Sequence, residues 1–561
     1  MNVHLTGRPI VSRLPPRVAG ILVQVSLVAV PLVVLGLFFV LPVSGMVSRG
    51  LWAEGRFDPA GVLEVLARPR VHRVLWFTVW SAGAGTLLSV LLGLPAAYVG
   101  YRLAFPGRGL VRVLMLVPFV LPSVVVGVAF RQLFAGPLAF LGADGSAVAI
   151  VAALTFFNIA VVVRTVGSSW ENLDRRPGEA AAAMGASPMR VFWTVTFTAL
   201  RPAILAAASV VFLFCATAFG VVLMLGGLRY ATVETEIYLL TANLLDLQAA
   251  AALSVLQLLV ITVLLLVVRR LDLTPSAIQE RVTSRPRRPS RSDLPAVALT
   301  GLALALVVAP ILTLVFGSMR SSGAWSLANY RALFGAVDVA GISVADALLT
   351  SLRVAVDATW MALGLGLAVA VVVSRRARSR AERTARSVMD GLFALPLGVS
   401  AVTLGFGFLI TLDEPPLDLR DSPVLVPIAQ ALVALPLVVR TLAPVLAGID
   451  QRQRQAAASL GASPWQVARV VDWPLVRRPL AAAAGFAFAV SLGEFGATSF
   501  LARDDHPTLP VVIYRLLGQP GELNYGTALA AAVLLAAVTA TVVLAVERIE
   551  GRTVGSGVRL A

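Results

Sequence analysis

Few residues of this chain are of a kind that does covalent or metal chemistry. Cysteine occurs once in the 561 residues, at Cys215 inside an apolar run, so no intrachain disulfide is possible. The three histidines, His4, His72 and His506, are too far apart for a metal-ligand motif. Lysine is absent, so no Gly-Lys-Ser/Thr phosphate loop exists, and no nucleophile–base–acid set emerges. We therefore expect no enzyme activity, metal or cofactor of the chain's own. What remains is a small set of ionisable residues in apolar surroundings. Glu494 lies between Gly493 and Phe495-Gly496, where a carboxylate could pass a cation, sit near an outer mouth as a gate, or pair with an arginine. Asp357 has Arg353 one helical turn away as a partner. Asp504-Asp505-His506 suits a cation or, better, a solvated contact loop.

The elements that position these residues are set by the solvent the sequence demands. Hydrophobic residues make up 58% of the chain and charged residues only 14%, against roughly 25% charged in soluble domains. The apolar residues fall in long runs without a polar face, such as 21–43 and 253–268. A helix needs about 20 such residues to cross a bilayer. The pattern predicts an all-α polytopic membrane protein with about twelve spans, near 21–46, 74–100, 110–134, 146–166, 200–225, 246–268, 294–317, 346–374, 388–412, 423–446, 479–501 and 524–546. The first run is too long for a signal-peptide core and reads as a retained span. The net charge of +16 is carried by arginines gathered between alternate runs, as at Arg8, Arg13 and Arg17, at Arg175 and Arg176, at 281–291 and at 375–386. This placement is a positive-inside bias and not a nucleic-acid patch, so the partner is the lipid bilayer of the cell membrane, with both termini in the cytoplasm. Trp76 and Trp80, one turn apart, read as interface markers.

The chain is also two copies of one unit. Gly185-Ala186-Ser187-Pro188 recurs as Gly461-Ala462-Ser463-Pro464, 276 residues on (185 and 461). At the same offset Arg164-Thr165 meets Arg440-Thr441, Phe219-Gly220 meets Phe495-Gly496, and Ile237-Tyr238 meets Ile513-Tyr514. Upstream, Pro118 and Gly127 match Pro396 and Gly405, and Gly93 matches Gly366. An even number of spans separates the tetrapeptides, so the two six-helix repeats are parallel, related by an axis along the membrane normal. The domains read as 1–272, a basic Pro-rich linker at 273–293, and 294–561.

Around each tetrapeptide, local chemistry predicts a helix–turn–helix elbow on the cytoplasmic side, within 170–200 and 447–478. The run of alanines after Glu179 favours helix. Gly185 supplies a left-handed helix end, Ser187 caps the next helix, and Pro188 sits in its first turn, where an N–H is not needed. Ala456 to Leu460, Gly461, Ser463 and Pro464 repeat the pattern.

These elbows resemble the Glu-Ala-Ala loop of permease subunits of ATP-binding-cassette importers. The first copy matches at Glu179, Ala180, Ala181 and Gly185, with Thr198 where the family has a later proline. The second matches at Ala456, Ala457, Gly461 and Pro474, with Gln455 in place of the glutamate. The resemblance implies a fused, two-copy permease whose elbows are coupling helices docked on two copies of a separate ATPase subunit. ATP and magnesium would be held there, and an extracytoplasmic binding protein would deliver the solute. Apolar anchors are expected at Met189, Phe192 and Trp193, and at Trp465 and Val467; interfacial helices resting on headgroups are the other reading. Segments 214–238 and 491–514, with Phe156-Phe157-Asn158, resemble the thiamine branch, and Ser491-Leu492-Gly493-Glu494-Phe495-Gly496 is similar to ferric-iron permeases too. Phe219, Asn158, Glu494 and Phe495 are the candidate substrate path. An ion-coupled secondary transporter is the rival class; it would want paired acids at the midplane and leaves the duplicated elbows unexplained.

Overall fold

The computed structural model describes residues 16–53, 56–227, 229–270, 286–335, 342–374, 399–413 and 417–551, with scattered positions between 380 and 393. Helix dominates, because no other open structure satisfies its backbone in hydrocarbon. The first half contains α1 (Pro16–Leu35), α2 (Leu41–Leu51), α3 (Pro69–Arg102), α4 (Arg108–Leu116), α5 (Ser123–Ala135) and α6 (Ala147–Glu171). It continues through α7 (Arg176–Ala183), α8 (Pro188–Val191), α9 (Phe197–Ala216), α10 (Gly220–Gly226), α11 (Val233–Ala242) and α12 (Leu247–Arg270). The second half repeats the order with α13 (Leu294–Ser318), α14 (Val344–Ser374), α15 (Ala401–Thr411), α16 (Leu425–Gly448), α17 (Gln451–Ser459), α18 (Pro464–Val467), α19 (Trp473–Leu492), α20 (Thr498–Leu501), α21 (Leu509–Gly518) and α22 (Glu522–Gly551). Short hairpins, β1–β2 (Trp52–Ala53, Arg56–Phe57) and β3–β4 (Arg320–Ser321, Ala324–Trp325), follow α2 and α13. They mark the face opposite the elbows.

Among the described residues, ten helices are long and apolar enough to span a membrane, and a bent pair makes an eleventh. Three expected spans are corrected. The continuous helix expected at 110–134 is broken: Arg108–Val120 and Ser123–Ala135 meet at 109°. Pro118 and Pro122 explain the break, since neither donates an N–H and Leu121, before a proline, is extended at φ −74°, ψ 138°. The spans expected at 200–225 and 479–501 stop early, at Ala216 and Leu492, and short helices α10 and α20 follow. Part of 388–400 in the ninth expected span, at 390 and 394–398, lies outside the described residues; its described end is α15, the counterpart of α5. The linker expected at 273–293 falls outside them up to 285. Its last part is fastened to α3: the Arg287 guanidinium donates to Asp293 and to the Tyr98 hydroxyl at 2.6 Å each, and the Leu103–Arg287 backbones pair.

Packing repeats along with sequence. α3 lies against α6 and α14 against α16 through small residues, which let helix backbones approach. A Cβ at Gly93 would meet Val162 at 2.7 Å, and one at Gly366 would meet Val438 at 2.5 Å. Val162 and Val438 are themselves 276 residues apart, so the same contact is made twice. The leading helices cross over: α1 and α2 pack on α14 and α15, and α13 packs on α3 and α5. The halves are separate in sequence and laced together in space.

Candidate coupling elbows and central seam

The elbows are matched turn for turn. α7 ends at Gly185 with φ +87°, and α17 at Gly461 with φ +84°, a conformation in which a Cβ is strained. Ser187 and Ser463 cap the next helices, their hydroxyls accepting from the Arg190 and Gln466 amides, with Pro188 and Pro464 in the first turn. Each short helix then passes through a π-turn, Phe192–Thr196 or Ala468–Asp472, into the following span without stopping. Pro188–Ala216 and Pro464–Leu492 are thus continuous 29-residue helices. At 1.5 Å per residue each is a lever about 44 Å long.

The elbows expose apolar side chains without a core to cover. Met189, Trp193 and Trp465 project, Trp465 at 76% exposure. Phe192 and Val467 are half-buried, and Phe192 supports Trp193 with ring centroids 5.4 Å apart. Sequence reasoning missed the most exposed pair, Met184 at 83% and Leu460 at 90%, and also Val470 and Trp473. Met184 and Leu460 each precede the turn glycine, and an apolar residue kept there twice was the available signal. Glu179, Ala180, Gln455, Ala456 and Pro474 lie on the exposed surface; Ala181 and Ala457 are half-buried. The copies differ in their ties: Arg454 donates to Asp472 at 2.8 Å, where the first half has Gly178 and Thr196, and Gln466 Oε1 accepts the Ser463 amide at 2.7 Å, where the first half has Arg190.

At the other end of each lever the halves meet. Phe219 and Phe495 are buried and stacked, centroids 5.4 Å apart and planes 23° apart. Tyr238 stands 5.4 Å from Phe219, and Tyr514 stands 5.6 Å from Phe495. Phe500 lies 5.4 Å from Tyr238. The four residues of the matched pairs 219/495 and 238/514 mark the pseudo-twofold axis. Gly220 lets them close, since a Cβ there would stand 2.5 Å from the Ser123 hydroxyl and 3.4 Å from the Phe495 ring.

Two candidate path residues behave differently. Asn158 is not at this seam: its amide donates to the Leu154 carbonyl at 2.9 Å and to Cys215 Sγ at 3.3 Å, holding α6 to α9. Glu494 is beside the seam but turned along its own chain. It accepts the Ala497 and Thr498 amides at 2.7 and 3.0 Å and the Thr498 hydroxyl at 2.5 Å, capping α20. The loop acids are also engaged: Arg503 donates to Asp505, holding its carboxylate below the ordinary value, and Arg515 donates to Asp504 at 2.7 Å. No cluster of three metal-ligating side chains occurs among the described residues. Arg353 and Asp357 are exposed and make no ion pair with each other. Trp76 and Trp80 are exposed on α3, as interface markers would be.

The acids that sequence reasoning missed are on α11. Glu236 is buried and takes Arg70 in two hydrogen bonds of 2.5 and 2.9 Å; Glu234 is buried beside Gln257 and Ser400. The segment read as an outer loop between spans, which hid them. It is a short buried helix packed against α12.

Residues 85–274 and 362–555 each match the model of the binding-protein-dependent transport system inner membrane component. The chain belongs to this family. It is a multi-pass permease subunit of a binding-protein-dependent ABC importer, and its two matched segments are the two copies read from the sequence. It is 29% identical over 481 residues to the thiamine transport system permease protein ThiP of Brucella abortus, covering 83% of this chain and 85% of that one. The Escherichia coli protein of the same name is 28% identical over 499 residues, 86% and 89% of the two chains. A probable ABC transporter permease protein, y4fN, of Sinorhizobium fredii is 26% identical over 557 residues, 92% and 95% of the two chains.

Proposed function

We propose that this permease carries thiamine or a phosphorylated form of it, driven by two copies of an ATPase subunit docked on its elbows. The observation that carries the coupling role is the pair of matched elbows, each with exposed apolar side chains at one end of a lever whose other end adjoins the Phe219–Phe495 stack. Docking buries Met184, Met189, Trp193, Leu460 and Trp465. Closure of the ATPase pair around ATP and magnesium then turns the two levers against one another. A rigid helix transmits that displacement to the aromatic pair and separates the rings. ATP shifts the equilibrium by its preference for the closed ATPase pair, and the elbows make that preference common to both proteins.

The arginine distribution supports elbows and termini in the cytoplasm, and the hairpin face outside, where a solute-binding protein would dock. The Glu494-containing segment and Phe219 support a path through the seam. The thiamine assignment rests on the relatives' substrate and on a seam rich in aromatic rings. The test is co-expression with the cassette subunit and binding protein of the same transport system, then uptake by proteoliposomes. ATP-dependent uptake of thiamine, with the ATPase co-purifying on this chain, is the expected result. Ferric iron entering in its place would remove the thiamine assignment; uptake driven by an ion gradient without ATPase would remove the coupling role.

A further inference from the structure

Two acids, two residues apart on α11, have opposite surroundings. Glu236 is neutralised by the Arg70 guanidinium. Glu234 is 0% exposed, and its partners are neutral: the Gln257 amide and the Ser400 hydroxyl, the latter at 2.7 Å. A buried carboxylate is costly without a counter-charge, and in a membrane protein such a group marks a site. Gln257 Oε1 is buried as well and has no donor. Turning the amide over would satisfy Gln257 Oε1 only against a protonated Glu234, and against the carboxylate it would aim one acceptor at another. As a carboxylate, Glu234 therefore lacks a positive partner.

The fold does not require an acid at this position. The matching residue of the second half, at 510 against 234, is Pro510, and α21 has the same ten-residue length as α11. The place is the seam itself. Ser400 belongs to the second half and caps α15. The next residues of that turn, Ala401 and Val402, pack on Gly496, whose other neighbour is the Glu494 carboxylate. Thr232, two residues before Glu234, donates to the Ala218 carbonyl at 3.4 Å, adjoining Phe219 of the stack.

We propose that Glu234 is the counter-charge for a cationic, ring-bearing solute crossing the seam, and that Ser400 holds its carboxylate while the halves are closed. Separation of the halves removes Ser400 and leaves Glu234 and Gln257 Oε1 as acceptors beside Phe219, Phe495, Tyr238 and Tyr514. Acid and aromatic faces together recognise an organic cation. This rests on the permease reading and deepens it by naming the group that meets the charge.

The experiment uses the full chain with its cassette subunits in nanodiscs, trapped with ATP and vanadate, and measures equilibrium binding of thiamine and of choline. Glu234→Gln should weaken thiamine binding at least tenfold, and Glu234→Asp should stay within about threefold of wild type. Ser400→Ala should bind as wild type in the trapped state, which a merely structural role for the Glu234–Ser400 bond would not allow. Co-purification of the cassette subunits reports assembly of each variant. Glu234-dependent binding of choline with no binding of thiamine keeps the cation site and removes the thiamine assignment. Equal affinity in Glu234→Gln, or binding of neither cation by the wild type, overturns the inference.

Discussion

The two halves agree along the elbows, the levers and the aromatic pairs of the seam, and disagree in the acids buried beside those rings. From the turn glycine through the cap, the π-turn and the end of the long helix, the elements fall at one constant offset, Phe197–Ala216 against Trp473–Leu492. At the seam the same offset sets Glu234 against Pro510, Glu236 against Val512, and Ala218 against Glu494. Under the proposed coupling, identical motors need identical levers, which accounts for elbows of the same geometry. A single solute breaks the twofold symmetry, so the residues that meet it are free to diverge. Among the described residues, the buried acids of the seam, Glu234, Glu236 and Glu494, each have an uncharged residue at the matched position.

Three sets of substitutions would break or sharpen that contrast. The largest effect is expected from Gly185→Val with Gly461→Val, because a β-branched residue at φ near +85° costs about 1–3 kcal/mol at each turn. Uptake should fall at least tenfold for either single change and further for the pair, while the chain still reaches the membrane. Equal losses for the two singles confirm matched levers, and a loss at one turn alone shows that one lever suffices.

A smaller loss is expected at the unmatched site. Arg70→Ala leaves Glu236 buried without its guanidinium, and about 2–3 kcal/mol of stability should be lost, read as a lower thermal midpoint in detergent. Arg68→Ala is the surface comparison, since Arg68 and Asp246 are both partly exposed; its effect should stay under about 1 kcal/mol. Similar midpoints for the two variants would show that Glu236 is hydrated. Smallest is Arg454→Ala, which removes an ion pair that the first elbow lacks. The pair is partly exposed, so less than about 1 kcal/mol is expected, and ATPase affinity should change less than about threefold. A larger drop would make the second elbow the stiffer and dominant one.

Much of the architecture was legible in the residues because the bilayer leaves so few choices. Apolar runs without a polar face become spanning helices, and an alanine run, glycine, serine and proline become an elbow by local chemistry alone. The repeat fixed which parts correspond. The prolines at 118 and 122 were visible too, yet hydropathy does not register a bend, since both limbs are apolar. The early stops at Ala216 and Leu492 escaped for the same reason: α10 and α20 are as apolar as the spans they follow.

The amino-acid order by itself determined the class of protein, the twofold plan and the shape of the elbows, because each depends on solvent or on neighbours within a few residues. Only the tertiary structure decided which side chains meet at the seam. It drew Asn158 into helix packing, turned Glu494 onto its own backbone, and buried Glu234 against a serine 166 residues away. Those outcomes depend on how one half lies against the other, and no local pattern in the chain carries that information.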